Sequence, residues 1–147
     1  MIKYKVQPKP RWAWWQCAGF AWNGVVYLDN GLLAEYIQYR QNGLVLTPTV
    51  AHEIRHLDQQ HQDGLLTFTW RYFTSKKWRL KYEQEAYEAQ MRAVAEESTL
   101  HKLTDFIAQD VAHSLASPLY RNMISYADAL TWARQVKNRI NAGEAIA

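Results

Sequence analysis

Two histidines and a glutamate are spaced so that they could bind a metal ion and use it. Residues 52–56 have the sequence H-E-I-R-H, which matches the pattern H-E-x-x-H. On a helix, residues four positions apart share one face, so His52 and His56 could hold one ion at about 2.0–2.1 Å. Glu53 is rotated by about 100° from His52, so its carboxylate would reach a water on the ion rather than the ion itself. The spacing therefore predicts hydrolysis by an activated water, with Glu53 as the general base.

Two segments together resemble the small gluzincin-like metallopeptidases. The first, residues 50–59, has the sequence V-A-H-E-I-R-H-L-D-Q, in which the histidine helix ends in H-x-x-Q. The second, Glu85-Ala86-Tyr87, lies in the glutamate-rich stretch 82–90, and the resemblance covers about residues 23–95. It implies a minimal zincin-like fold with one Zn²⁺ and the activity of a zinc metalloendopeptidase on a peptide or protein substrate.

The resemblance also implies a role for each residue. His52 and His56 would bind zinc, Glu53 would act as general base and then as acid, and Glu85 would be the third ligand. Glu88 shares the face of Glu85 at i+3 and is the alternative ligand, or a group that orients a histidine. Glu83 lies about 200° around the helix from Glu85 and is expected to face away.

Helix-capping residues and the spacing of apolar residues predict the helices and strands that must position these groups. Thr47 and Pro48 are typical of a helix start, and Asp63-Gly64 of its end, which predicts a helix over 48–62. Further helices are predicted over 75–97, over 100–111 and from Ser125 to Ile140. Residues 25–28 are predicted to be a strand after the Asn23-Gly24 turn, and residues 32–40 fit either a helix or an edge strand.

Composition favours one domain over residues 1–147, with an α+β fold that is mainly helical. The predicted parts are a short N-terminal sheet, an active-site helix and a glutamate helix. A single cysteine among 147 residues excludes an internal disulfide and a four-cysteine zinc site. The 17 basic and 14 acidic residues nearly balance, which disfavours nucleic acid as a partner.

Seven tryptophans and nine tyrosines are many for a chain of this length, and they indicate a filled core or a contact surface. The N-terminal cluster at 12–22, with Trp12, Trp14, Trp15, Phe20 and Trp22, predicts contact with the core or with an assembly partner. The segment 70–81 interleaves basic residues with aromatics, which also suits an anionic membrane surface.

The start of the chain has basic residues followed by an apolar run over 12–28, as in a signal peptide. Gln16 and Asn23 interrupt the run, and no small-x-small cleavage site follows it. A cytoplasmic or assembly-associated location is therefore expected rather than secretion.

A second hypothesis keeps the metal site but not the catalysis. The small size and high tryptophan content also suit a non-catalytic, zinc-stabilised module of a larger assembly, for example a virion or a secretion apparatus.

Overall fold

The chain forms a small sheet followed by helices, in a computed structural model that describes residues 4–10, 17–42, 46–98 and 101–144. The strands are β1 (Lys5–Pro8), β2 (Gly19–Trp22) and β3 (Val25–Leu28). The helices are α1 (Asn30–Gln41), α2 (Pro48–Asp63), α3 (Leu65–Thr74), α4 (Lys76–Glu97), α5 (Asp105–Leu115) and α6 (Tyr126–Asn141), with a 3-10 turn at Pro118–Tyr120. The prediction of a mainly helical α+β fold is confirmed.

The sheet has β3 at its centre, with β1 parallel on one side and β2 antiparallel on the other. Asn23 and Gly24 join β2 to β3 with φ of 48° and 80°. Positive φ at both turn residues is the geometry that Asn-Gly favours in a tight hairpin. The predicted strand at Val25–Leu28 is confirmed. No local sequence pattern predicts β1, because its partner strand lies twenty positions along the chain, in the register Lys5↔Val25.

Local caps set most helix starts as predicted. The Thr47 hydroxyl accepts a hydrogen bond from the Val50 amide (3.3 Å), and Gly64 ends α2 with a φ of 80°. The Asp29 side chain caps α1 in the same way. Residues 32–40, whose sequence fits either a helix or an edge strand, therefore belong to a helix. α5 begins later than predicted because Leu103 lies before it, where its backbone bonds the side chain of Asn141.

The described residues form two apolar clusters. One joins the sheet to α2 through Val26, Leu28, Val50 and Leu57. The other joins the C-terminal half of α4 to α5 and α6, around buried residues such as Met91. The packing between α2 and α4 is more extensive than that between any other two elements. The first half of α4 therefore faces α2, and its second half belongs to the second cluster.

α2 is buried on two adjoining faces, and both carry polar residues. Glu53, Leu57 and Gln60 point towards β2, since the Gln60 amide donates to Ala21 O (2.8 Å). The other face carries His52, His56 and Gln59 and points towards α4. A polar set inside a helix interface is unusual unless it is hydrogen-bonded or binds an ion.

The N-terminal tryptophan cluster is only partly described. Trp12, Trp14 and Trp15 lie outside the described residues, and Trp22 at the end of β2 is 41 % exposed. In the ranges that the structure describes, no helix is long and apolar enough to cross a bilayer.

The packing of α2 on the sheet can be tested with two leucine substitutions. Leu57 is 3 % exposed and Leu66 is 86 % exposed. We expect Leu57→Ala to lower the free energy of unfolding by about 2–5 kcal/mol, because it leaves a cavity under α2. Leu66→Ala is the matched control and should stay within about 0.5 kcal/mol. Urea denaturation measures both, and equal losses would contradict the packing described.

Candidate metal centre

His52, His56 and Glu83 meet between α2 and α4. The Nε2 of His52 lies 3.4 Å from Glu83 Oε2, and the Nε2 of His56 lies 3.5 Å from Glu83 Oε1. One ligand atom from each residue lies within 4.8 Å of the others. All three side chains are buried, with Glu83 only 1 % exposed. The histidine pair that the sequence predicted is therefore on one face and has a carboxylate opposite it.

The third member is Glu83, and the prediction that Glu83 faces away is wrong. Glu85 is not brought to the histidines: its Oε2 accepts from Arg55 (2.9 Å) and from Gln59 (3.0 Å). Glu88 lies further along α4 and pairs with Arg92 and Arg139. Side chains two positions apart on a helix point about 200° away from each other. The prediction that Glu85 faces the histidines therefore implied, wrongly, that Glu83 points away from them.

The sequence did contain a signal for Glu83. The buried face of α4 includes Tyr82, Ala86, Tyr87 and Met91. Glu83 lies at i−3 from Ala86, at i−4 from Tyr87 and at i−8 from Met91, so it belongs to that apolar face. A glutamate in line with buried apolar residues is the one that a packed helix turns inward.

Gln59 fixes which nitrogen of His56 is free. The Gln59 amide nitrogen donates to Tyr82 O (3.0 Å) and to the Glu85 carboxylate, which are both acceptors only. Its oxygen must then accept from Nδ1 of His56, at 2.8 Å. In the neutral imidazole, this leaves the Nε2 lone pair pointing at Glu83, as a metal ligand requires. Glu85 thus orients a histidine through Gln59.

The charges at the centre are strongly coupled. Burial alone would lower the pKa of His56, but the Glu83 carboxylate outweighs it and raises that pKa to about 9. Burial would likewise raise the pKa of Glu83, yet the histidines reverse the effect and hold it well below its usual range. Without metal, a proton on His56 therefore balances the Glu83 charge at neutral pH.

Glu53 lies beside the triad on the sheet side of α2. It is 6 % exposed, and its Oε2 has no hydrogen-bond partner within the described part of the chain. Burial raises its pKa, His52 and His56 offset part of that rise, and Glu83 adds to it. Gly19 at the start of β2 lies close to this carboxylate, since a Cβ at that position would come within 3.4 Å of Glu53 Oε1.

Aromatic side chains close the centre on two sides. From α3, the Tyr72 hydroxyl donates to Glu83 Oε1. From α4, the ring of Tyr87 packs edge-on against His52, with 4.6 Å between centroids, and its hydroxyl lies 3.2 Å from that of Tyr120. Sequence spacing did not single out Tyr72, which lies eleven positions before Glu83 on a different helix.

The donors fit a divalent ion such as zinc. Zinc takes imidazole nitrogens and carboxylate oxygens as ligands, and one such atom from each of the three residues lies within 4.8 Å of the others. Tyr72 occupies Oε1 of Glu83, whereas Oε2 is buried with no hydrogen-bond partner among the described residues. A buried carboxylate oxygen that has no hydrogen-bond partner and faces an imidazole nitrogen is an arrangement that a bound cation would satisfy.

Comparisons of the chain with protein-family models, with curated proteins and with solved structures found no match. The chemistry proposed below therefore depends on the geometry of the site.

Metal binding should release a proton. Because His56 in the metal-free protein has a pKa of about 9, it is protonated at pH 7 and must lose that proton to bind an ion. The apparent zinc affinity should rise roughly tenfold per pH unit between about pH 6 and 8. Glu83, whose pKa is lowered, stays ionised over this range and adds no slope. Calorimetry in buffers of different ionisation enthalpy measures the proton, and binding without release would contradict the His56–Glu83 pairing.

The hydrogen bonds that link Glu85 to His56 through Gln59 predict a second effect on the affinity for zinc. Gln59→Leu removes the acceptor of His56 Nδ1, so zinc affinity should fall by roughly 10- to 100-fold. Gln62→Leu is the control, since Gln62 lies on the same helix and is exposed. Competition with a chromogenic chelator gives both constants, and thermal melts without metal check folding. Equal zinc affinities for the two variants would argue that Gln59 does not orient His56.

Proposed function

We propose that this protein is a zinc-dependent metallopeptidase of the gluzincin-like kind, with His52, His56 and Glu83 as metal ligands. The observation that carries the proposal is the position of Glu53. A buried carboxylate with a raised pKa and an unpaired oxygen stands next to the triad without taking part in it. Such a group is costly to bury, and it has the properties of a general base.

The residues would divide the work as follows. A bound zinc ion would polarise the scissile carbonyl and make a water more acidic. Glu53 would take a proton from the water as the water oxygen bonds to the carbonyl carbon, and would return that proton to the amine nitrogen as the C–N bond breaks. Gln59 would keep the His56 ring oriented, and Tyr72 would hold one oxygen of Glu83 so that the other remains free.

A raised pKa suits Glu53 to this task. A carboxylate at the usual pKa near 4.5 would be a weak base at neutral pH. Burial moves the pKa upward, towards the pH at which proton acceptance and return are both favourable. Its location on the β2 side of α2 separates it from the ligand face, so it can contact a water without displacing a ligand.

A second function, the non-catalytic metal-stabilised module, is favoured by the burial of the triad. His52 and His56 are 6 % and 8 % exposed, and Tyr72 covers Glu83. Structural zinc sites are closed in this way, whereas catalytic ones keep a position open. The two functions make different predictions for Glu53.

Metal analysis and one substitution distinguish them. We expect one zinc per chain in the wild type and in Glu53→Gln, and none in His52→Ala. Hydrolysis of a quenched-fluorescent peptide library should fall at least 100-fold in Glu53→Gln, because the proton acceptor is lost. Activity and zinc content are measured on the same preparations.

Asp58→Asn is the matched control, since it makes the same carboxylate-to-amide change on the same helix outside the triad. It should keep both zinc and activity. Zinc in the wild type and in Glu53→Gln but not in His52→Ala, no hydrolysis by the wild type, and a melting temperature that falls on chelation would favour the structural module. Absence of stoichiometric zinc would overturn both functions.

A further inference from the structure

α3 turns three large apolar side chains away from the protein. Leu66, Trp70 and Phe73 are 86 %, 71 % and 57 % exposed. At positions i, i+4 and i+7 they form one stripe about 10 Å long, here called the α3 outer face. The opposite face of α3 buries Phe68 and sends Tyr72 to the metal centre. The helix is thus apolar on both sides, although only one side is covered by the described chain.

The surroundings of this face are basic. Residues 64–82 contain five basic residues and no acidic one. Arg71 pairs with Asp63, Arg79 is buried and donates to Tyr72 O, and Lys81 lies 3.9 Å from Glu85. Lys76 and Lys77, the first residues of α4, are exposed and form no ion pair with any described residue. Two uncompensated positive charges therefore lie directly beyond Phe73.

We propose that the α3 outer face binds the surface of an anionic lipid bilayer. Leucine, tryptophan and phenylalanine on one face, with lysines at its border, are the side chains with which interfacial helices enter the headgroup region. Tryptophan prefers the boundary between headgroups and acyl chains. Lysines near that surface are attracted by anionic lipids and need no matching pocket.

The size of the face favours a bilayer over a protein partner. A fully covered aromatic side chain buries about 150–250 Å², so the exposed parts of these three side chains amount to roughly 400 Å². A stable protein interface needs about 800 Å² on each partner. A bilayer has no such requirement, since a few inserted side chains and electrostatic attraction act together.

This binding mode does not depend on the proposed peptidase activity. Phe68 and Tyr72 reach the metal centre from the buried side of α3, so the outer face can bind lipid while the triad remains enclosed. Loss of zinc or of Glu53 would leave lipid binding unaffected, which keeps the two proposals separately testable.

The test is flotation with large unilamellar vesicles. We expect the wild type to float with vesicles of phosphatidylcholine containing about 30 % phosphatidylglycerol, and at least tenfold less with phosphatidylcholine alone. Raising the salt to about 0.5 M NaCl should weaken the binding, because it screens the lysines. Trp70→Ser should lower partitioning at least fivefold, and Leu66→Ser should do so independently.

Phe106→Ser is the matched control, because Phe106 on α5 has the same 71 % exposure as Trp70. It should leave flotation unchanged. The contribution of charge is tested with two double variants. One combines Lys76→Gln with Lys77→Gln, and the other combines Lys5→Gln with Lys102→Gln at two exposed lysines elsewhere on the surface. Only the first pair should reduce binding, although both change the net charge equally. Circular dichroism confirms that each variant is folded.

Four results would overturn the proposal. The first is no flotation with anionic vesicles, and the second is an equal loss in Phe106→Ser and Trp70→Ser. The third is self-association in analytical ultracentrifugation that Trp70→Ser abolishes, without binding to vesicles, which would assign the face to a second copy of the chain. Binding to a DNA duplex instead of vesicles would likewise contradict a lipid surface.

Discussion

The polar side chains of His52, His56 and Glu83 meet in the interior between α2 and α4, where they are shielded from water. Removing a charged group from water costs several kcal/mol even after the protein relaxes. Each of these groups therefore depends on the others, through the His56–Glu83 proton in the metal-free protein or through a cation when one is bound. The packing of α2 on α4 is the most extensive in the fold, and it holds this polar set in register.

The rest of the structure supports that contact from three directions. The sheet holds α2 by its second face, where Gln60 bonds both Ala21 O and the Asn23 amide. α3 folds back over the centre and brings Tyr72 to Glu83. The second apolar cluster, around Met91, fixes the far half of α4 and hence its rotation.

The same arrangement explains why the site suits both of the proposed functions. Burial strengthens every interaction within the centre, because the effective dielectric constant falls. It raises the pKa of Glu53, as the proposed general base requires, and it encloses the three candidate ligands, as a structural site requires. A closed ligand set and a raised pKa of Glu53 are therefore consequences of one packing arrangement.

The sequence alone determined the features that depend on residues close together in the chain. Thr47, Pro48 and Gly64 bound the histidine helix, and the i, i+4 spacing places His52 and His56 together in any α-helix. The apolar spacing of α4 marks Glu83 as a residue that turns inward, but only the tertiary structure decided that it meets the histidines, because the packing of α4 against α2, α5 and α6 sets the rotation of the helix. The contact of Tyr72 with Glu83 and the pairing of β1 with β3 likewise could not be predicted from local sequence, since the partners are distant in the chain. Burial, which makes Glu53 basic and leaves the α3 outer face exposed, is a property of the assembled fold and of no single segment.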